Sequence, residues 1–197
     1  MSYEAVPGRS EYPEDALLAL GIPLGRQTDG SYGVRFGERV YELDATQESL
    51  WRLAHGGLSR EGILRQWSRD DGPAALDEMA AGGLVVALTG DHTTDWARLE
   101  AMRPIPRAIP QGYDTERNCF LIPSPEGHAT LELDEPTFWV WSAWDGAISL
   151  GESASRVISA IGLSPNSIRR KALRLACLGV FTVTCHLDAT GSGGDGR

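Results

Sequence analysis

The sequence predicts an α+β protein built from two tandem winged-helix-like modules, each with a β-hairpin, three helices and a closing strand. The first observation is a repeated segment. Tyr41-Glu42-Leu43-Asp44 is similar to Leu131-Glu132-Leu133-Asp134, which lies 90 residues later. The second is that Gly83-Leu84-Val85 returns as Gly179-Val180-Phe181, at an offset of 96. Self-similarity at a nearly fixed spacing indicates a duplicated structural unit.

Composition and turn signals divide the chain into five segments. Residues 1–30 form an N-terminal leader with a short helix over 13–21, which Pro13 opens and Gly21 ends. The first module spans residues 31–88 and the second spans 119–188. A proline-containing connector covers 89–118, and a flexible tail rich in Gly and Ser covers 189–197.

The first module begins with a predicted β-hairpin. Strands over 32–36 and 39–43 flank the turn at Gly37-Glu38. Asp44 is then a good N-cap, with Gln47 placed three residues later to complete a capping box. A second helix starts at Ser59, a third runs from about 73 to 81, and a strand over 84–88 closes the module.

The connector and the second module follow the same rules. A short helix is predicted over 94–102, and the prolines at 104, 106 and 110 then keep the chain extended. The module has strands over 119–122 and 128–133, a helix over 136–144 capped by Asp134, and a helix over 151–161. Its third helix opens at Ser164-Pro165 and ends before Gly179, and a strand over 180–186 closes it.

Composition excludes several classes of function. The net charge is −9, which disfavours general binding to phosphate backbones. No apolar run approaches the roughly 20 residues that span a bilayer, and the start of the chain lacks an export signal, so we expect a cytoplasmic protein with no membrane contact. Three cysteines without metal-ligand spacing predict no metal site and no cofactor.

Motifs for enzyme chemistry are also missing from the sequence. It contains no P-loop, dinucleotide fingerprint, nucleophile elbow or zinc-protease motif. The acidic pairs Asp70-Asp71 and Asp134-Glu135 fall in a loop and at a helix cap, where carboxylates are expected for structural reasons. We therefore predict that the protein is not an enzyme.

Both modules share the order hairpin, helix, turn, helix, helix and glycine-led strand. In the first module this order is carried by residues 41–44, Leu50-Trp51, His55-Gly56-Gly57 and Gly83-Leu84. In the second module it is carried by 131–134, Trp144-Asp145-Gly146 and Gly179-Val180. This arrangement resembles PqqD-like domains, the peptide-recognition elements found with enzymes that modify ribosomally made peptides. The resemblance implies a non-catalytic adaptor that binds a precursor (leader) peptide and a partner enzyme.

A leader peptide bound in this way adds a strand to the hairpin edge and lays its side chains against the third helix. Carried onto this chain, the resemblance implies peptide-binding residues on the hairpin strands and third helices of both modules. They are Arg39, Val40, Tyr41, Leu76, Met79 and Ala80 in the first module, and His128, Thr130, Ile168, Lys171 and Leu175 in the second. The alternative is that the apolar members of this set form the core of each module.

The first helix of the second module carries more aromatic residues than one core-facing stripe needs. Trp139, Trp141 and Trp144 point around much of its circumference. The surplus is covered either by the first module, as an internal seam, or by a partner enzyme, since exposed aromatic patches mark interfaces.

One concentrated basic stretch supports an alternative function. In a winged helix the segment 166–178 is the recognition helix, and it carries Arg169, Arg170, Lys171 and Arg174. These residues are the candidate nucleic-acid contacts of a DNA-binding transcription regulator. A basic face equally suits an acidic peptide or partner, or a solvated surface.

Overall fold

The fold is described from a computed structural model for residues 15–123, 130–179 and 181–184. It is a mixed α+β protein, as predicted. In the first half the elements are β1 (Leu17–Ala19), β2 (Ile22–Arg26), β3 (Tyr32–Phe36), β4 (Arg39–Leu43), α1 (Ala45–Ala54), α2 (Arg60–Trp67), α3 (Gly72–Ala81) and β5 (Val85–Ala87). Then follow α4 (His92–Leu99), β6 (Arg103–Pro106), β7 (Gly112–Asp114), β8 (Cys119–Pro123), β9 (Thr130–Leu133), α5 (Glu135–Ser142), α6 (Leu150–Ile161), α7 (Pro165–Cys177) and β10 (Phe181–Thr184).

The two halves repeat the same order of elements around the linking helix α4. Each has a three-stranded antiparallel sheet, β2-β3-β4 or β7-β8-β9, followed by three helices. Each also has a closing strand that pairs antiparallel with the strand that opens the half, β5 with β1 and β10 with β6. The duplication therefore extends to strand pairing, while the assignment of the halves to the winged-helix class stays a prediction.

The turn and the helix cap that the sequence predicts for the first half are both present. Gly37 adopts a φ of +61° at the first position of the two-residue β3–β4 turn, where a type II′ hairpin favours glycine. Asp44 accepts a hydrogen bond from the Gln47 amide at 2.8 Å, and the Gln47 side chain accepts one from the Asp44 amide at 3.2 Å. The predicted hairpin and capping box are confirmed.

The helix predicted over 13–21 is wrong for the described residues, because 17–19 form strand β1. Leu17 and Ala19 face one hydrophobic core, whereas Leu18 faces the other. This alternation has the period of a strand, and it buries a short apolar segment on both faces. Packing against both cores therefore overrides the helix-start and helix-stop signals, and Gly21, at φ +104°, turns the chain into β2.

The predicted connector contains more structure than a helix and an extended segment. Its helix is present but shifted, since α4 spans His92–Leu99, and the proline segment is strand β6. Pro104 lies opposite Val183, and Pro106 lies opposite Phe181. Two prolines are tolerated in β6 because it has a pairing partner on one side only.

Strand β1 joins the halves because it belongs to both cores. The core of the first half, here the first core, includes Leu17, Ala19, Val34, Leu43, Leu50, Trp51, Ile63, Leu76 and Met79. The second core includes Leu18, Leu20 and Leu88 together with Val140, Trp141, Trp144, Ile168, Leu173, Leu175 and Val183. A parallel bridge pairs Leu20 with Val183, and the Gly21 amide donates to the Val183 carbonyl at 2.7 Å.

No helix in the described part of the chain is both long enough and apolar enough to span a bilayer.

Candidate peptide-binding edge and aromatic surface

Strand β4 lies at the edge of its sheet and leaves half of its main chain unpaired. A two-residue turn makes Phe36 and Arg39 a hydrogen-bonded pair, so along β4 the alternate residues Val40 and Glu42 direct their amide and carbonyl groups away from β3. Among the described residues, no hydrogen bond outside regular elements uses the main chain of either residue. The Val40 side chain is 57% exposed. This edge offers main-chain groups and an apolar side chain to an additional strand.

The third helix supplies less of the predicted groove than the resemblance implied. Leu76 and Met79 are 1% and 2% exposed in the first core, so their assignment to a peptide-binding groove is corrected to a role in packing. Ala80 is exposed. Tyr41 is half-buried beside the end of α3, where an added Cβ at Gly82 would lie 3.6 Å from the Tyr41 ring.

The second half has a similar edge at β9. Thr130 is exposed on that strand, whereas Ile168 and Leu175 are fully buried in the second core and are not groove residues. His128, the remaining predicted residue of this edge, lies outside the described residues.

Lys171 connects α7 to the start of α5. Its Nζ lies 2.9 Å from the Asp134 carboxylate and 3.0 Å from the Thr137 hydroxyl. Partial burial opposes ionisation of Asp134, but hydrogen bonds from Thr137 and Lys171 outweigh this effect and lower the pKa of its carboxyl. The lysine is therefore held by an internal ion pair beside the β9 edge.

The basic helix is covered more than a recognition helix should be. Helices α4, α5 and α6 all pack on α7. The Arg169 guanidinium lies 5.7 Å from the centre of the Trp96 ring of α4, and Lys171 is ion-paired as above. Arg170 is exposed and Arg174 is half-buried. Two of the four predicted nucleic-acid contacts are thus engaged within the chain.

The tryptophans of α5 divide between the core and the surface. Trp141 and Trp144 are 5% and 3% exposed in the second core, so their assignment to a partner surface is wrong. They lie in the second core, to which Leu18 and Leu88 of the first half also belong. Trp139 lies on the other face of the helix and is 45% exposed.

Trp139 ends a continuous row of rings, here called the aromatic surface, made of Tyr113, Phe120, Phe138 and Trp139. Phe120 and Phe138 stack in parallel with their centres 3.7 Å apart. Tyr113 lies 4.9 Å from Phe120, and Trp139 lies 6.2 Å from Phe138. Tyr113 is 46% exposed at the opposite end of the row. Tyr113 and Phe120 are not among the residues that the sequence singled out. Phe120 is two residues from the buried Ile122 on β8 and shares its face, so Phe120 packs partly against the second core.

One buried histidine lies where the halves meet. His55 is 5% exposed beside Trp51, their ring centres 4.3 Å apart, and neither of its ring nitrogens has a hydrogen-bond partner. Burial, reinforced by the positive charges of Arg107 and Arg52, lowers the pKa of His55 to about 3. The imidazole is therefore neutral at physiological pH.

The described part of the chain contains two cysteines, Cys119 and Cys177. Cys119 and Cys177 are buried and unlinked, and burial followed by the nearby Asp95 charge raises the pKa of Cys177 to about 12. Among the described residues no three His, Cys, Asp or Glu side chains are grouped so that they could hold a metal ion.

Comparison with known proteins found no matching family model, no similar curated protein and no matching solved structure.

Proposed function

We propose that this protein is a non-catalytic adaptor that binds an extended precursor peptide along strand β4 and presents it to a separate modifying enzyme. The observation that carries the proposal is the open edge of β4, where Val40 and Glu42 direct their main-chain groups outward. The resemblance of the hairpin and helix order to PqqD-like domains supports the choice of a leader peptide as the ligand.

Main-chain hydrogen bonds supply most of the expected affinity. A peptide strand beside β4 can form up to four such bonds with Val40 and Glu42, each contributing about 0.5–1.5 kcal/mol net. Covering the exposed Val40 side chain adds an apolar contribution, while ordering the peptide opposes binding. Because Leu76 and Met79 belong to the core, side-chain recognition falls to Arg39, Val40, Tyr41 and Ala80.

The β4 edge is a better candidate than the β9 edge. At β9 the neighbouring helix α7 carries Lys171, whose charge is already neutralised by Asp134. At β4 the exposed face of α3 carries Asp77 and Glu78. Arg60 pairs with Asp77, and Gln47 donates to Glu78. This surface suits a peptide with little negative charge.

The test begins with a pull-down of the tagged protein from its native host at physiological salt, followed by mass spectrometry of bound peptides and sequencing of bound DNA. The affinity of the recovered peptide is then measured for the original protein and for the variants Val40→Pro and Val40→Thr. Proline removes an outward amide that β3 does not use, so the protein should stay folded and lose at least about tenfold in affinity. Threonine keeps the amide and should bind within about threefold of the original protein.

Hydrogen exchange locates the binding edge independently. In the free protein the amides of Val40 and Glu42 should exchange rapidly, and those of Tyr41 and Leu43 should be protected. Peptide binding should protect the first pair. Equal affinity of the Val40→Pro variant, or protection at β9 instead of β4, would contradict the proposed site.

DNA binding by α7 is the second candidate, and the exposed side chain of Arg170 is the observation in its favour. If the pull-down returns one enriched DNA site and no peptide, the adaptor proposal is overturned. Changing Arg170 and Arg174 to Ala should then flatten the salt dependence by about one unit of slope for each lost phosphate contact.

A further inference from the structure

At three places an arginine of the chain lies over an aromatic ring. Trp67 is partly exposed, whereas Tyr32 and Trp96 are core residues, 7% and 5% exposed. Beside Trp67, the Arg69 guanidinium lies 5.0 Å from the centre of the indole ring. In the same way Arg52 lies 4.9 Å from the centre of the Tyr32 ring, and Arg169 covers Trp96. A guanidinium placed over an aromatic face is attracted by the ring quadrupole, which explains why arginine recurs at these positions.

At Trp67 a carboxylate completes the arrangement. The indole Nε1 donates to Asp71 at 2.9 Å, and Arg69 donates to the second oxygen of Asp71 at 3.0 Å. The ring, the carboxylate and the guanidinium therefore form a triangle in which the arginine contacts both of the others. Glu48 plays a comparable part for Arg52, at 3.0 Å.

The aromatic surface contains the ring and the carboxylate of this arrangement but lacks the cation. The Trp139 Nε1 donates to Glu135 at 3.3 Å, four residues away on α5. No described Lys or Arg side chain pairs with Glu135 or covers the Trp139 ring. Glu135 and Trp139 are both exposed.

The second half carries other residues at the positions of the Glu48–Arg52 ion pair, and Trp139 itself stands where the first half has Ser49. At the offset of 90, Phe138 stands where the first half has Glu48, and Ser142 stands where it has Arg52. The ion pair that covers Tyr32 in the first half is thus replaced by stacked rings that reach the surface. Exposed aromatic groups of this kind are typical of interfaces.

We propose that the aromatic surface binds an arginine-bearing segment of a partner protein, with the guanidinium over Trp139 and paired with Glu135. Charge complementarity favours a cationic occupant, since the carboxylate of Glu135 has no cation partner among the described residues and the chain carries a net charge of −9. Phe120 and Phe138 supply apolar contacts for the residues that flank the arginine. This surface belongs to the second half of the chain, whereas the β4 edge belongs to the first half.

The test uses ¹⁵N-labelled protein and two blocked pentapeptides, which are identical except that one has a central arginine and the other a central citrulline. Citrulline keeps the shape of arginine but removes the charge. The arginine peptide should shift the Trp139 indole resonance saturably and bind about threefold to tenfold more tightly than the citrulline peptide. The Glu135→Gln variant should lose most of that difference while its spectrum remains that of a folded protein.

The chain provides its own matched control at Trp67. In the Arg69→Ala variant the arginine peptide should also shift the Trp67 indole resonance, because the substitution leaves the same ring and carboxylate uncovered. Equal binding of the two peptides, an unchanged preference in Glu135→Gln, or a response at Trp67 of Arg69→Ala without one at Trp139 would each overturn the proposal.

Discussion

Replacing Gly57 with Ala should lower the stability of the protein in two ways, through a contact between the halves and through the backbone conformation of residue 57. Gly57 has a φ of +61°, and a Cβ added there would lie 2.3 Å from the Cys177 carbonyl oxygen at the end of α7. The left-handed conformation costs a non-glycine residue roughly 1–2 kcal/mol. Overlap with a backbone atom that has little freedom to move adds about 1–3 kcal/mol. We therefore expect Gly57→Ala to lower the free energy of unfolding by about 2–5 kcal/mol.

Gly162 is the matched control. It has a φ of +69° after helix α6, and a Cβ added there would meet no atom within 4 Å. Gly162→Ala should therefore cost only the conformational share, roughly 1–2 kcal/mol. Urea unfolding followed by circular dichroism gives both values, and the slope with denaturant should stay unchanged. Equal destabilisation by the two substitutions would refute the idea that the turn after α1 meets the end of α7 closely at this glycine.

Two further predictions concern buried side chains. The pKa of His55 is about 3 when folded and 6.5 ordinarily, so below pH 6.5 the unfolded chain binds a proton that the folded chain does not, and stability falls. Between pH 7.5 and pH 5 the free energy of unfolding, measured with urea, should therefore fall by about 2 kcal/mol less in His55→Met than in the original protein. An identical pH dependence of the two proteins would contradict this. Leu18→Ala should cost about 2–5 kcal/mol, because Leu18 is 1% exposed in the second core, and should keep a single transition. The exposed control Leu24→Ala should stay within about 0.5 kcal/mol, and an equally small cost of Leu18→Ala would contradict the burial of Leu18 in the second core.

The elements that the sequence predicted well depend on contacts between near neighbours. The cap on α1 joins Asp44 to Gln47, and the turn between β3 and β4 needs only Gly37 and one further residue. Such interactions form within a few residues, so their signals remain visible in the sequence. The helix predicted over 13–21 failed because the same kind of local signal was outweighed by burial on both faces of β1.

The candidate site was less predictable because exposure depends on packing between distant segments. Val40 and Ala80 are exposed as expected, but Met79 belongs to the core although it is only one residue from Ala80 in the same helix. The periodicity of a sequence predicts which residues share a face of a helix or strand, but packing determines whether that face is covered. The role of Lys171 depended similarly on Asp134, an acid 37 residues earlier in the chain.

The α+β class, the duplication, the β3–β4 hairpin and the helix caps are predictable from the amino-acid sequence, because they follow from residue patterns and from interactions over a few residues. Three features follow from packing alone: residues 17–19 form a strand shared by two cores, β6 pairs with β10, and Trp139 stays at the surface while Trp141 is buried. These outcomes depend on partners far apart in the chain, such as Val86 opposite Leu18 and Val183 opposite Pro104. The free energy that selects them comes from burying apolar surface between those partners, which no local pattern records.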